Sequence, residues 1–308
     1  MKPLPQSPLT KLAIIGAGSV GSTIAHSCIM RRLPVQILLN DIDQKRVEGE
    51  VLDLSDGTFL SNTTVTAAQP QEVGQCDIIV ITAGAKQRPG ESRAALIERN
   101  YQIMKSVLDG IKPIRSDAQL LVVANPVEIL CHLAQKLSGL PHNQVFGSGT
   151  VLDSARLRVE LADTLHVNEA SIHCYVLGEH GDNQFVAWSA GHVGGTPLLG
   201  FDEMKNIDLA QKSQAVARKA YEIIDRKGST YYGIGACVSL LVETVVCNTL
   251  RLLPISCYDP KFSTYVSTPA VLGARGVLRQ VDLPLNQEES QAMDKAVASI
   301  KAITQKYH

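Results

Sequence analysis

The segment YVLGEHGDNQF, Tyr175–Phe185, sets His180 between an acid and a glycine where an apolar run stops. An imidazole titrates near neutral pH, so it can take or give a proton. A strand-end histidine with no partner is an ordinary solvated side chain; proton transfer needs groups from elsewhere in the chain. A second concentration of chemistry lies near the N-terminus. LAIIGAGSVGSTIA places Gly16, Gly18 and Gly21 directly after an apolar run and at the start of a helical pattern. In that context Gly16 permits a tight turn, Gly18 admits a pyrophosphate and Gly21 allows close helix packing, with the helix N-terminus aimed at the anion. The next apolar run, VQILLND, ends at Asp41, about 20 residues beyond Gly21. A carboxylate there accepts from ribose hydroxyls and repels a 2'-phosphate, which favours NAD over NADP; its bland alternative is a helix cap.

The elements that must hold these groups follow from patterning. From Lys11 to about Gly149 the runs KLAIIG, VQILLND, CDIIVITAG, QLLVVANP and QVFGSG are continuously apolar, as in strands covered on both faces of a parallel sheet. Helical stretches, among them 94–111 and 128–137, supply the crossovers. The expectation is an α/β protein: a doubly wound, Rossmann-type parallel sheet over residues 1–147, followed by a mixed α+β catalytic domain over 148–308. The second part reads as a helix from Ser154 to Leu165 and a strand pair around SIHCYVL and QFVAWSAGHV. Helices over 208–226 and 231–250, strands within 251–283 and a final helix follow.

Composition narrows the partners. Lys plus Arg number 29 against 30 Asp plus Glu, a net charge of -1, so no broad field draws nucleic acid or an anionic membrane. Seven cysteines without a C-x-x-C pair or metal-ligand spacing read as reduced thiols, and no apolar run reaches membrane length. A cytoplasmic protein with no metal and small-molecule partners is expected.

AGAKQRPGESRAALIERN (Ala83–Asn100), GSGTVLDSARLR (Gly147–Arg158) and GEHGDNQF, together with the glycine loop, resemble the L-lactate dehydrogenase branch of the lactate/malate dehydrogenase family. The resemblance runs from Lys11 to the last helix in one motif order. It implies reversible hydride transfer between L-lactate and NAD, giving pyruvate and NADH, in a homotetramer. Malate or a larger 2-hydroxy acid is the alternative substrate.

That reaction needs a base, a carboxylate clamp, a stabiliser of developing charge and a hydride acceptor. The resemblance makes His180 the base and Asp153 its hydrogen-bonded partner, where the bland reading of Asp153 is an N-cap. Arg156, three residues on, holds the substrate carboxylate by a two-pronged guanidinium contact. Arg93, carried by a loop that closes in the family, polarises the carbonyl, and Asn125 orients the substrate oxygen. Glu179 and Asp182 receive no role. For the cofactor the resemblance adds Val20, Arg46, Gly84, Ala85, Val123, Asn125, Ser148 and Ile234 to Gly16, Gly18, Gly21 and Asp41.

Gln87, six residues before Arg93, is the position that faces the third substrate carbon in the family. Lactate enzymes carry glutamine there and malate enzymes arginine, because a second carboxylate needs a counter-charge. Thr230 lines the same pocket. Arg158 stands two residues after Arg156, about 200° round a helix, and points elsewhere. With His173 it forms the pair that bacterial lactate dehydrogenases activated by fructose 1,6-bisphosphate use for phosphate, so an effector site is expected.

Overall fold

The computed structural model describes residues 9–85, 90 and 92–307. The chain opens with β1 (Thr10–Ile15), α1 (Ser19–Met30), β2 (Val35–Asn40), α2 (Gln44–Asp56), β3 (Thr64–Ala67) and α3 (Pro70–Val73). It continues through β4 (Ile78–Ile81), α4 (Arg93–Gly110), β5 (Gln119–Val122), α5 (Val127–Ser138) and β6 (Val145–Gly147). These six strands lie parallel in the order β3-β2-β1-β4-β5-β6, with the order reversing at β1 and β4. Right-handed crossovers put helices on both faces, which is why β4 is apolar along its whole length, β1 from Leu12 onward and β5 from Leu120 onward. The doubly wound sheet expected from the apolar runs is present. β3, TVTA, escaped that reading because three of its four residues face outward and it carries no buried run.

The rest comprises α6 (Val151–Leu165), β7 (Ile172–His173), β8 (Val176–Gly178), β9 (Gln184–Val186), β10 (His192–Val193) and β11 (Thr196–Pro197). Then come α7 (Leu209–Lys227), α8 (Tyr232–Val246), β12 (Arg251–Asp259), β13 (Thr264–Gly273), β14 (Gly276–Gln280) and α9 (Gln287–Thr304). This is the mixed α and β half. Its strands β12, β13, β8 and β9 extend the first sheet antiparallel from the edge of β6, through Gly147 paired with Ser256. A small sheet, β11-β10-β7, stands apart.

Three boundaries differ from the sequence expectation. SIHCYVL is two strands: β7 joins the small sheet and β8 the large one, with buried Cys174 and Tyr175 bridging them. α6 begins at Val151, not Ser154, so Asp153 sits inside its first turn and is not the N-cap, which is Thr150. α8 stops at Val246 because Asn248 and Leu250 adopt left-handed backbone. Among the described residues no helix is long and apolar enough to cross a membrane.

Candidate active site

The glycine loop is shaped by backbone contact. Gly16 takes φ +104°, and a Cβ there would lie 2.5 Å from the Thr82 hydroxyl; a Cβ at Gly21 would lie 1.9 Å from the Gly16 carbonyl. Only glycine lets the β1 turn and the first turn of α1 approach this closely. At Gly18 a Cβ would meet nothing within 4 Å, so the space it borders is open. α1 has no side-chain cap and no acid in its first turn, leaving its N-terminal amides free for an anion. Asp41 accepts from the Ala17 amide at 2.7 Å and the Asp43 amide at 3.0 Å, which fixes the carboxylate beside the loop. An open cradle, uncapped amides and a fixed carboxylate together fit a dinucleotide.

The other expected cofactor residues gather at the same carboxyl edge. Gly84 and Ala85 follow β4, Val123 and Asn125 follow β5, and Ser148 follows β6. Ile234 arrives from the far half because α8 packs on α1, where a Cβ on Gly235 would be 2.5 Å from Thr23 Cγ2. Val20 lies in the first turn of α1. Arg46 is a turn into α2 and lies 3.8 Å from Asp43.

The proton-transfer cluster is built from side chains. The chain just beyond β8 presents His180, and the first two turns of α6 present Asp153 and Arg156. His180 Nδ1 lies 2.7 Å from Asp153 Oδ2. An ionised carboxylate only accepts, so Nδ1 donates and Nε2 is left for a substrate. Arg156 donates to the other Asp153 oxygen at 3.4 Å, with its side chain only 9% exposed. Packing around the imidazole opposes its charge, yet Asp153's charge and hydrogen bond, with Glu128 beyond, lift His180 to about 9. Asp153 is buried, which opposes ionisation, but His180 and Arg156 outweigh burial and hold it below the usual carboxylate range.

Arg93 opens α4 and pairs with Glu179, the residue before His180. The sequence reading left Glu179 without a role. In the structure this almost fully buried acid holds Arg93 and also accepts from Asn183 at 2.7 Å. Asn125 is tied through its carbonyl to the Asn100 amide at 2.8 Å, and Asn100 in turn accepts from the Ala85 amide at 2.7 Å. Thr230 lies between α7 and α8. Gln87, with Lys86 and Arg88, lies outside the described residues.

Two family models match the chain: "lactate/malate dehydrogenase, NAD binding domain" over residues 10–147 and "lactate/malate dehydrogenase, alpha/beta C-terminal domain" over 150–308. The chain belongs to the lactate/malate dehydrogenase family. The Rhizopus oryzae L-lactate dehydrogenase A is 48% identical over 96% of this chain and 92% of its own length. An Enterococcus faecalis L-lactate dehydrogenase 2 is 39% identical over 95% and 96%. The solved structure of the minor L-lactate dehydrogenase of Enterococcus mundtii superposes with a TM-score of 0.92 at 33% identity, over 97% of this chain and 99% of that one. A fungal relative thus stands beside the bacterial ones, and the likeness is not confined to bacterial enzymes.

Within this family site, sequence reasoning missed Glu128, Asn100 and Ser267. Glu128 accepts from the His180 amide at 3.2 Å and from the Ser267 hydroxyl at 2.7 Å. Its one signal was an acid followed by the apolar run ILC in α5. Ser267 comes from β13, 139 residues away, and nothing local marks it.

Away from this cluster, His173 of β7 stacks on His192 of β10 with ring centroids 5.1 Å apart. Burial, His192 and the positive Arg158 together push His173 below the ordinary histidine value. Arg158 Nε donates to the Ser154 carbonyl at 3.3 Å. His192 is an additional base that sequence reading did not include.

Proposed function

We propose that the chain catalyses reversible hydride transfer between L-lactate and NAD, giving pyruvate and NADH. The observation that carries this reading is the Asp153–His180 hydrogen bond of 2.7 Å, with Arg156 on the same helical turn, beside a family NAD-binding fold. The relatives' names, L-lactate dehydrogenase at 48% and 39% identity, support the substrate.

When bound, the nicotinamide supplies or accepts the hydride. His180 Nε2 gives its proton to the carbonyl oxygen of pyruvate, or takes the hydroxyl proton of lactate. Asp153 keeps the imidazole in one tautomer and compensates its charge. Arg156 binds the substrate carboxylate, and Arg93 leaves Glu179 to polarise the carbonyl. Asn125 orients the reacting oxygen, while Gln87 and Thr230 bound the side-chain pocket. Gly16, Gly18, Val20, Gly21, Asp41, Arg46, Gly84, Ala85, Val123, Ser148 and Ile234 hold NAD. Residues 1–147 then form the cofactor domain and 148–308 the catalytic one, in a cytoplasmic homotetramer.

A second reading concerns regulation. Arg158, His173 and His192 bring three basic groups together, and His173 is depressed first by burial and then by its neighbours' charge, a surplus of positive groups that an anion would offset. Fructose 1,6-bisphosphate would lower the pyruvate concentration needed for half-maximal rate and favour the tetramer, with a coupling of about 5- to 150-fold. The test is NADH oxidation with pyruvate, oxaloacetate and 2-oxoisocaproate, with and without fructose 1,6-bisphosphate. Preference for oxaloacetate would remove Gln87 as a selector of monocarboxylates, and equal activation of wild type, Arg158→Gln and His173→Ala would move the effector elsewhere.

A further inference from the structure

Glu128 is fully buried at the N-terminal turn of α5, and the mechanism above does not use it. One of its oxygens, Oε1, takes both hydrogen bonds, from the His180 backbone amide and from Ser267. The other, Oε2, is buried with no hydrogen-bond partner among the described residues. An orphaned carboxylate oxygen in a low-dielectric interior is expensive unless a nearby cation compensates the charge. The charged groups acting on His180 are Asp153 and Arg156 from α6 and Glu128 from α5. Around Glu128 stand the His180 turn, the neutral Ser267 hydroxyl of β13 and the thiol of Cys131 on its own helix, which burial keeps protonated.

We infer that Glu128 is a positioning residue for proton transfer, fixing the His180 turn through Oε1 and lending a second buried negative charge that holds the imidazole in its cationic form. Burial pushes the Glu128 carboxyl up, while His180 and Ser267 pull it back, so the charges on Glu128 and His180 are linked. When His180 releases its proton, Asp153 keeps Arg156 as its counter-cation while Glu128 loses the positive charge of the imidazole that favours its ionised form, and the site resists that step. Asp153 orients the ring directly, whereas Glu128 acts through the backbone and through space.

This inference rests on the lactate dehydrogenase reading. Glu128→Gln separates charge from shape: the amide oxygen can keep both hydrogen bonds at the Oε1 position, and its NH2 falls where no donor opposes it. The measurement is kcat/KM for pyruvate against pH, with calorimetric binding of the unreactive pyruvate isostere oxamate to the NADH complex as a second readout. The expected result is an alkaline limb moved to lower pH by about one unit in both. Ser267→Ala, which makes the carboxylate harder to ionise, should move it the same way by less. Glu128→Asp, which keeps the charge, should leave the limb near the wild-type position. A uniform rate loss with an unmoved limb in Glu128→Gln and Ser267→Ala would mean a purely structural role and overturn the inference. Should Glu128→Gln not accumulate as folded protein, the Ser267→Ala limb decides alone. Wild type inactive on pyruvate at every pH would instead sink the functional reading itself.

Discussion

The glycine loop and the His180 cluster do opposite kinds of work with opposite materials. The loop uses backbone: positive φ at Gly16, a Cβ-free approach at Gly21 and uncapped amides at the start of α1. The cluster uses charged side chains drawn from α5, α6 and the end of β8, with Glu128, Asp153 and Arg156 buried or nearly so and His180 partly exposed. A pyrophosphate keeps its charge throughout the reaction, so fixed dipoles suffice to bind it. A proton donor must change charge, so its surroundings must be poised between two states. The loop should therefore respond to bulk and ignore pH, whereas the cluster should respond to both charge and pH.

Four outcomes test this contrast, beginning with the largest. His180→Ala should lower turnover by at least about 100-fold while NADH affinity hardly changes; near-normal turnover with pyruvate would remove His180 from the chemistry. Gly21→Ala forces a methyl to within 1.9 Å of the Gly16 carbonyl. It should cost about 1–3 kcal/mol in stability, read by denaturant titration, and weaken NADH binding equally at every pH. A shifted pH profile in this variant would break the separation between the two regions.

The third outcome is the pH profile of the unaltered protein. Pyruvate reduction draws on the imidazolium, which persists to about 9, so the rate should hold through neutral pH and fall about tenfold per unit beyond that. Lactate oxidation, which needs the neutral ring, should rise over the same interval. Because folding raises His180 from its ordinary 6.5 to about 9, its stabilising contribution is complete below 6.5 and is lost as pH climbs through 9. The smallest effect belongs to Gly18→Ala. Its Cβ meets nothing within 4 Å in the protein alone, so stability should stay within about 0.5 kcal/mol. NADH affinity should still fall, because the methyl enters the space expected for the pyrophosphate. Unchanged affinity would displace the cofactor from the loop.

How much was legible follows the range of the forces. Gly16, Gly18, Gly21 and Asp41 lie within one βαβ unit, so their spacing along the chain already encodes their geometry. The parallel strands were readable because burial on both faces leaves an unbroken apolar run. β3 was not, since most of its residues face outward. Asp153 and Arg156 share a helical turn, and their proximity followed from spacing even though α6 begins three residues earlier than expected.

What spacing could not say is which of several acids reaches His180. Glu179 is its chain neighbour but turns to Arg93, whereas Glu128, 52 residues away, accepts from the His180 amide. That choice depends on β6 pairing with β12, which continues one sheet across both halves and brings β13 with Ser267 against α5. The meeting of His173 with His192 likewise depends on the antiparallel register of β7 and β10. Local sequence determined the folds of the backbone and the residue types available for chemistry. Only the tertiary structure decided which charges are buried together, because burial and electrostatic coupling depend on distance through space and not on separation along the chain.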